Sequence, residues 1–222
     1  LASSKDRLVL TLKEKIQIAP NIYEFIFNAN KKLNFLPGQY LEWTIPAQKS
    51  DSRGNRRYYT LASSPTEPEI RIATKYPESP SSFKHSLLNL NTPIVASQLA
   101  GNFVLPKDPK LKLAFVAGGI GITPFRSMIK YLTDTKQTRD IILIYINKTA
   151  DEIVYKDILE SVKVIYINTS EVGHFNDQMI NDKIPDFLNR VWYISGPHNM
   201  VSATEKILKS LSIKKIKTDF FP

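Results

Sequence analysis

The segment Leu113-Ala114-Phe115-Val116-Ala117-Gly118-Gly119-Ile120-Gly121-Ile122-Thr123-Pro124 constrains the fold of this chain more than any other. An apolar run of strand length passes into a glycine-rich turn, and Thr-Pro then opens an amphipathic stretch that continues to Leu132. Glycine tolerates positive φ and lets the backbone approach a ligand closely. Thr123 suits an N-cap and Pro124 the first helical position. A helix start of this kind presents unpaired N–H groups to an anion. The expectation is a strand, turn and helix at a phosphate site; an ordinary turn without a ligand has the same local chemistry.

The two halves of the 222-residue chain differ in rhythm. In the first, Leu8, Leu10 and Leu12 alternate with polar neighbours, as do Tyr23, Phe25 and Phe27, and Leu41, Trp43 and Ile45. Arg57 to Ala62, Glu69 to Thr74 and Pro93 to Leu99 are further strand candidates, and one helical stretch runs from about Ser82 to Leu90. Short strands punctuated by turns predict a small antiparallel β-barrel. In the second half, Leu111 to Ala117, Ile141 to Ile146, Lys163 to Asn168 and Arg190 to Ser195 are short apolar runs. Helical patterns separate them: Pro124 to Thr133, Asp151 to Glu160, Asn176 to Asn181, and a last helix from about Met200 to Leu211. A short strand, Lys215 to Thr218, follows. This alternation predicts an α/β doubly wound parallel sheet. We therefore expect two domains, residues 1–106 and 107–222, with the barrel first.

The chain has no cysteine, which excludes disulfides, thiolate nucleophiles and protein-held iron–sulfur clusters. His85, His174 and His198 are far apart in sequence, so no metal site is expected. The formal charge of +9 suits an acidic partner. The basic residues are dispersed rather than interleaved with aromatics, which argues against nucleic acid. No apolar run approaches the ~20 residues of a membrane span, and no signal peptide is evident. The chain opens at Leu1 without a methionine and stops at Phe220-Phe221-Pro222, so a longer parent protein is expected.

Two further stretches carry chemistry. In Arg56-Arg57-Tyr58-Tyr59-Thr60, strand alternation puts Arg57 and Tyr59 on one face and Tyr58 and Thr60 on the other. Arginine grips phosphate through a bidentate fork, tyrosine offers a flat stacking surface, and a threonine hydroxyl reaches a ring nitrogen. The same residues also make a good ordinary strand. Ser81 or Ser82 is expected to cap the one helix of the first half. With the Gly118 turn this gives two helix starts suited to phosphate, hence two nucleotide-like ligands.

In order and spacing these motifs resemble the ferredoxin–NADP reductase superfamily over nearly the whole chain. Its flavin signature, Arg-x-Tyr-(Ser/Thr), is met by Arg57, Tyr58, Tyr59 and Thr60. Its flavin-pyrophosphate helix start resembles Ser81-Ser82-Phe83-Lys84, and its Gly-Gly-x-Gly-x-Thr-Pro loop is matched from Gly118 to Pro124. A late Cys-Gly-Pro-x-x-Met is met as Ser195-Gly196-Pro197-His198-Asn199-Met200, and a terminal acid-x-aromatic element by Asp219 and Phe221. The resemblance implies that Arg57 binds the flavin phosphate, that Tyr59 packs on the isoalloxazine beside Tyr58, and that Thr60 reaches flavin N5. It places Lys75, Ser81 and Ser82 along the flavin, and Gly118, Gly119, Gly121 and Thr123 on the nicotinamide dinucleotide. Gly196 and Pro197 would border the nicotinamide, and Phe221 would cover the flavin ring until nicotinamide displaces it. Thr60, Ser195 and Phe221 are thus the implied catalytic positions. Ser195 departs from the family's cysteine.

The implied function is an NAD(P)H-dependent flavin oxidoreductase. It would take hydride onto FAD, preferred to FMN because the serine helix start offers a pyrophosphate a place. It would pass electrons to a separate one-electron, flavin or quinone-type acceptor as the reductase module of a larger protein. The alternative is a flavin- or nucleotide-binding regulatory subunit without turnover. The expected location is the cytoplasm, or the cytoplasmic face of a membrane if segments outside this chain anchor it there.

Overall fold

The computed structural model describes residues 7–46, 52 and 54–221, with Phe221 described in its backbone only. Strand alternation builds the first layer. In β1 (Leu8–Ala19), Leu8 and Leu10 are buried while Val9 and Thr11 face solvent. β1 turns at Asn21 (φ 58°), a residue that tolerates the left-handed region, into β2 (Ile22–Ala29). With β3 (Tyr40–Thr44), β4 (Arg56–Thr60), β5 (Ile70–Lys75) and β6 (Ile94–Ala100) these form a six-stranded antiparallel sheet in the order β4-β3-β6-β1-β2-β5. Its concave face closes over Leu10, Phe25, Phe27, Leu41 and Trp43, and helix α1 (Ser82–Leu88) adds Phe83 and Leu87.

The barrel expectation is met as a half-barrel. β4 and β5 are the two edges of the curled sheet, and the chain beyond β4 reaches β5 by Ala62 N donating to the Arg71 carbonyl (2.8 Å) and Arg71 N donating to Ser63 Oγ (3.1 Å).

The second layer is a five-stranded parallel sheet in the order β11-β10-β7-β8-β9, comprising β7 (Lys112–Gly118), β8 (Ile141–Asn147), β9 (Lys163–Asn168), β10 (Arg190–Pro197) and β11 (Ile216–Phe221). β7 and β8 are apolar on both faces, as a sheet covered on both sides requires. Leu113, Phe115 and Ala117 pack with Leu143 and Tyr145 under helix α2 (Thr123–Asp134). Ala114 and Val116 pack with Ile142, Ile144 and Trp192 under helix α6 (His198–Ser210). The strand order reverses between β7 and β10, and in open α/β sheets such a switch point opens a crevice beyond the strand C-termini.

Some elements differ from expectation. The helix expected over Asp151–Glu160 is broken: a 3₁₀ turn at Ala150–Glu152 is followed by α3 (Lys156–Leu159), with Tyr155 at φ 62° between them. A one-turn helix, α4 (Thr169–Val172), precedes α5 (Asp177–Lys183). β11 runs three residues past its expected end, because it pairs in register with β10 as far as Pro197↔Phe221. Segment 101–111 joins the layers and contains the expected 106/107 boundary. Within it Phe103 packs on Phe125 and Tyr193, with ring centroids 5.7 and 5.2 Å away.

Candidate functional site

A cavity of about 630 Å³ opens where the C-terminal ends of β7, β8 and β10 face β4 and β5 of the curled sheet. Arg57, Tyr58, Tyr59, Thr60, Lys75, Ser81, Gly118, Gly119, Thr123 and Pro197 all border it, residues from both halves of the sequence. Ser82 does not line this wall, nor do Gly121, Ser195 and Gly196, which pack against one another at the turn. The side chain of Phe221 lies outside the described residues.

The glycine turn is fixed by sterics. A Cβ on Gly121 would sit 2.2 Å from the Ser195 carbonyl oxygen, so only glycine lets the turn press on β10. Gly119 has φ +51°, and nothing lies within 4 Å of where its Cβ would be. It therefore offers bare backbone to the cavity. Thr123 is not the N-cap expected from the sequence: a 3₁₀ turn from Gly119 runs straight into α2, so Ile122 holds the cap position and Thr123 is already helical. No side chain caps α2; Thr123 N–H is taken by the Ile120 carbonyl within the 3₁₀ turn and Pro124 has none, so the backbone open to the cavity is that of the turn around Gly119.

On β4, the Arg57 guanidinium donates to the carbonyls of Gly54 (3.0 Å) and Arg56 (2.7 Å) and lies 5.4 Å from the Phe83 ring centre. Tyr59 stacks on the same ring (5.9 Å, 27°). Tyr58 is 56% exposed and its hydroxyl donates to buried Glu42 (3.1 Å), which ties it to β3 while its flank borders the cavity. Ser81, rather than Ser82, caps α1, accepting from Lys84 N (3.3 Å). Lys84 Nζ donates to the Lys75 carbonyl (2.6 Å), and Lys75 Nζ pairs with Glu152 Oε1 (2.5 Å) on the facing layer.

The structure adds contacts that the motifs did not predict, and adds Asn147, Glu152 and Thr169 to the residues read from the sequence. Asp219 pairs with Ser195 in the β10–β11 register, and Thr60 Oγ1 donates to its carboxylate across the seam (3.4 Å). Desolvation pushes the Asp219 carboxyl up to about 6, against the opposing pull of the Thr60 and Ser195 hydroxyls. Ser195 Oγ is fully buried. Asn147, at the end of β8, is only 3% exposed, borders the cavity, and has no protein partner for either amide atom. A buried amide without partners is costly, so Asn147 is a candidate ligand position. A polar residue closing the apolar run Ile141–Ile146 was its signal in the sequence. Lys148, Glu152, Thr169 and Met200 complete the wall. Phe220, which an aromatic terminus would place in the interdomain seam, is instead 55% exposed and packs edge-on against His198 (5.1 Å).

A family model described as Oxidoreductase NAD-binding domain matches residues 115–206. The chain is 25% identical over 225 residues to a flavohemoprotein of Oceanobacillus iheyensis, covering 90% of this chain and 55% of that protein. It is 24% identical over 217 residues to a glycine betaine monooxygenase reductase subunit of Chromohalobacter salexigens, covering 88% and 58%. The chain thus spans little more than half the length of these relatives. Among solved structures, the ferredoxin-NADP+ reductase of Plasmodium falciparum superposes with a TM-score of 0.80 at 23% identity, over 100% of this chain and 98% of the other. The FAD/NAD-binding domain of nitric oxide dioxygenase from Vibrio cholerae does so with a TM-score of 0.83 at 18% identity, over 97% and 99%. With a half-barrel before a doubly wound sheet and a glycine turn at the switch point, the chain has the two-domain fold of these ferredoxin-NADP+ reductase and FAD/NAD-binding-domain structures, and its second half matches the oxidoreductase NAD-binding family.

Proposed function

We propose that this chain binds FAD against the half-barrel, accepts reducing equivalents from NAD(P)H at the switch-point crevice, and serves a separate electron acceptor. The observation that carries this reading is one cavity walled by β4 on one side and by the Gly118–Ile120 turn on the other, with Thr60 bonded to Asp219 across the seam between the layers. The residues fit a flavin dinucleotide. Tyr59 lines the cavity, backed by the buried Phe83 ring, Arg57 stands beside it, and Lys75, Ser81 and Lys84 supply cationic and hydroxyl donors for a pyrophosphate. Such a donor set would be left largely unused by FMN.

When bound, the flavin supplies two-electron acceptance from nicotinamide and release of electrons one at a time. The protein's part is orientation. The exposed backbone of the Gly118–Ile120 turn, with Thr123 beside it, would hold the dinucleotide phosphates. Asn147, with Lys148 and Thr169 beside it, takes the ribose end. Pro197 would border the nicotinamide. Asp219 accepts the Thr60 hydroxyl hydrogen and so fixes the direction in which Thr60 Oγ1 presents its lone pairs.

The relatives' names, a flavohemoprotein and a monooxygenase reductase subunit, support a globin or oxygenase as the acceptor. The charge of +9 favours an acidic docking face on it. Among the described residues no helix is long and apolar enough to cross a membrane. The reading is tested by reconstituting the purified chain with FAD and with FMN and comparing their affinities by fluorescence quenching. Tight FAD binding with weak FMN binding is expected; retention of neither would refute it.

A further inference from the structure

Between the two layers, away from the cavity wall, lies a group of buried charges that the proposed chemistry does not use. Arg126 on α2 is 4% exposed. Its Nη1 donates to the Ala62 carbonyl (2.7 Å) and to Glu67 Oε2 (2.7 Å), and its Nη2 to Glu67 Oε1 (3.0 Å). The next residue, Ser127, is fully buried and its hydroxyl donates to the Ser63 carbonyl (2.6 Å). Glu67 also accepts from Ser64 N (2.7 Å). Behind this pair the Tyr155 ring lies 5.2 Å from the Arg126 guanidinium, and its hydroxyl donates to Glu24 Oε1 (2.9 Å), whose other oxygen pairs with Arg71 (3.0 Å).

The anchoring points matter more than the number of bonds. Ala62 and Ser63 directly follow β4, two and three residues after Thr60. Arg126 and Ser127 lie on the first turn of α2, three and four residues after Thr123, and about 6 Å along the axis separates Ser127 from it at 1.5 Å per residue. The turn before α2 is itself wedged on β10, because Gly121 leaves no room for a Cβ against Ser195. Thr60, Ala62, Arg126, the glycine turn and Ser195 thus form one unbroken path between the two layers behind the cavity. Stability alone does not account for it. Burying an arginine–carboxylate pair costs desolvation that its attraction does little more than offset, and apolar pairs of similar volume are commonly as stable. A planar fork on two fixed acceptors does what an apolar contact cannot: it sets a direction as well as a distance.

We propose that Arg126, with Ser127, is a positioning residue for nicotinamide-to-flavin transfer, holding the glycine turn at a fixed distance and angle from the strand that carries Thr60. The inference rests on the proposed function. A misplacement of about 1 Å can cost on the order of 100-fold in rate, so the clamp acts on alignment and leaves each ligand's own site intact.

The test compares wild type with Arg126→Met, Arg126→Lys and Glu67→Gln, all as full chains. In Arg126→Met, FAD affinity and the KM for the nicotinamide donor should stay within about threefold of wild type, while the flavin-reduction rate in stopped flow falls about 10-fold to 100-fold. The long-wavelength absorbance of stacked reduced flavin and NAD(P)+ should be lost with it. Arg126→Lys, which keeps the charge but not the fork, should recover part of the rate. In calorimetry of the apoprotein, the single wild-type transition should split in two as the layers uncouple. A reduction rate within twofold of wild type with one transition retained would overturn the proposal. So would a rate that falls only in proportion to bound flavin. If Arg126→Met does not fold, Glu67→Gln, which keeps the Ser64 hydrogen bond, decides by the same criteria. Wild-type protein that binds flavin but is reduced by neither donor would refute the proposed function, and calorimetry would still test the clamp.

Discussion

Replacing Asp219 by asparagine should stabilise the protein at neutral pH, by an amount that follows from its burial. Desolvation dominates at this carboxyl and raises it from the ordinary 3.8 to about 6. A raised acid binds its proton more tightly in the folded state, so the sign is opposite to that of an ion-paired carboxylate. Below about pH 4 the group is protonated whether the chain is folded or not, and it contributes nothing. Between pH 4 and 6 the unfolded chain ionises first, and folding stability falls. Above pH 6 the full penalty is present, roughly 2 units at 1.36 kcal/mol each, or about 3 kcal/mol. An asparagine at this position would still accept the Thr60 hydroxyl hydrogen through its amide oxygen and would escape the penalty. Urea denaturation of wild type and Asp219→Asn apoprotein from pH 4 to 8 measures this, with cofactor absent so that ligand binding does not mask it. The two stabilities should coincide near pH 4 and diverge to about 3 kcal/mol by pH 7. Parallel pH profiles would show that the carboxyl is not desolvated, and that the Thr60–Asp219 contact does not hold the layers closed over it.

Arg57→Ala should weaken FAD binding about 10-fold to 100-fold, since a charge-assisted phosphate contact is worth roughly 1.5–3 kcal/mol; Arg56→Ala, whose side chain is 63% exposed and faces Glu42 (3.5 Å), should change it less than threefold by the same fluorescence titration. Gly121→Ala should lower stability by about 1–3 kcal/mol or more through its clash with the Ser195 backbone. Gly119→Ala, with open space but positive φ, should cost only about 1–2 kcal/mol, and thermal melts of the two variants give the ranking. Lys148 is exposed at the cavity rim and is our candidate for a 2′-phosphate, so Lys148→Ala should cut kcat/KM for NADPH by about tenfold and leave NADH unchanged. A strong NADH preference untouched by the substitution would remove that assignment.

Much of this architecture was legible in the sequence because each half has one dominant period. Two-residue alternation in Leu8–Leu12 and Leu41–Ile45, and continuous apolar runs at 113–117 and 141–146, admit few folds. The site was legible where a residue's chemistry is local. Gly119 needs its own φ, Arg57 carries its own charge, and Ser81 caps its own helix. It was not legible where the role depends on register between distant strands. Asp219 gains its place only because β11 extends alongside β10, and Thr60 meets it across 159 residues of chain. The helix expected through Tyr155 fails for a similar reason. Its ring packs on Arg126 and its hydroxyl on Glu24, contacts made across the seam by a residue at φ 62° rather than in a helix. Thr123 was misplaced by one residue, because a 3₁₀ turn leads into α2 where a capped start was expected.

The central claim is that one cavity serves both a flavin and a nicotinamide, and anaerobic reduction tests it most directly. The chain is loaded with FAD and mixed with NADH or NADPH in a stopped-flow spectrometer without oxygen, while the flavin absorbance is followed. The account predicts that the flavin bands bleach with a rate that saturates in donor concentration, and that 4-deuterated donor slows it. A chain that retains FAD yet bleaches with neither donor, while dithionite still reduces it, would contradict the account.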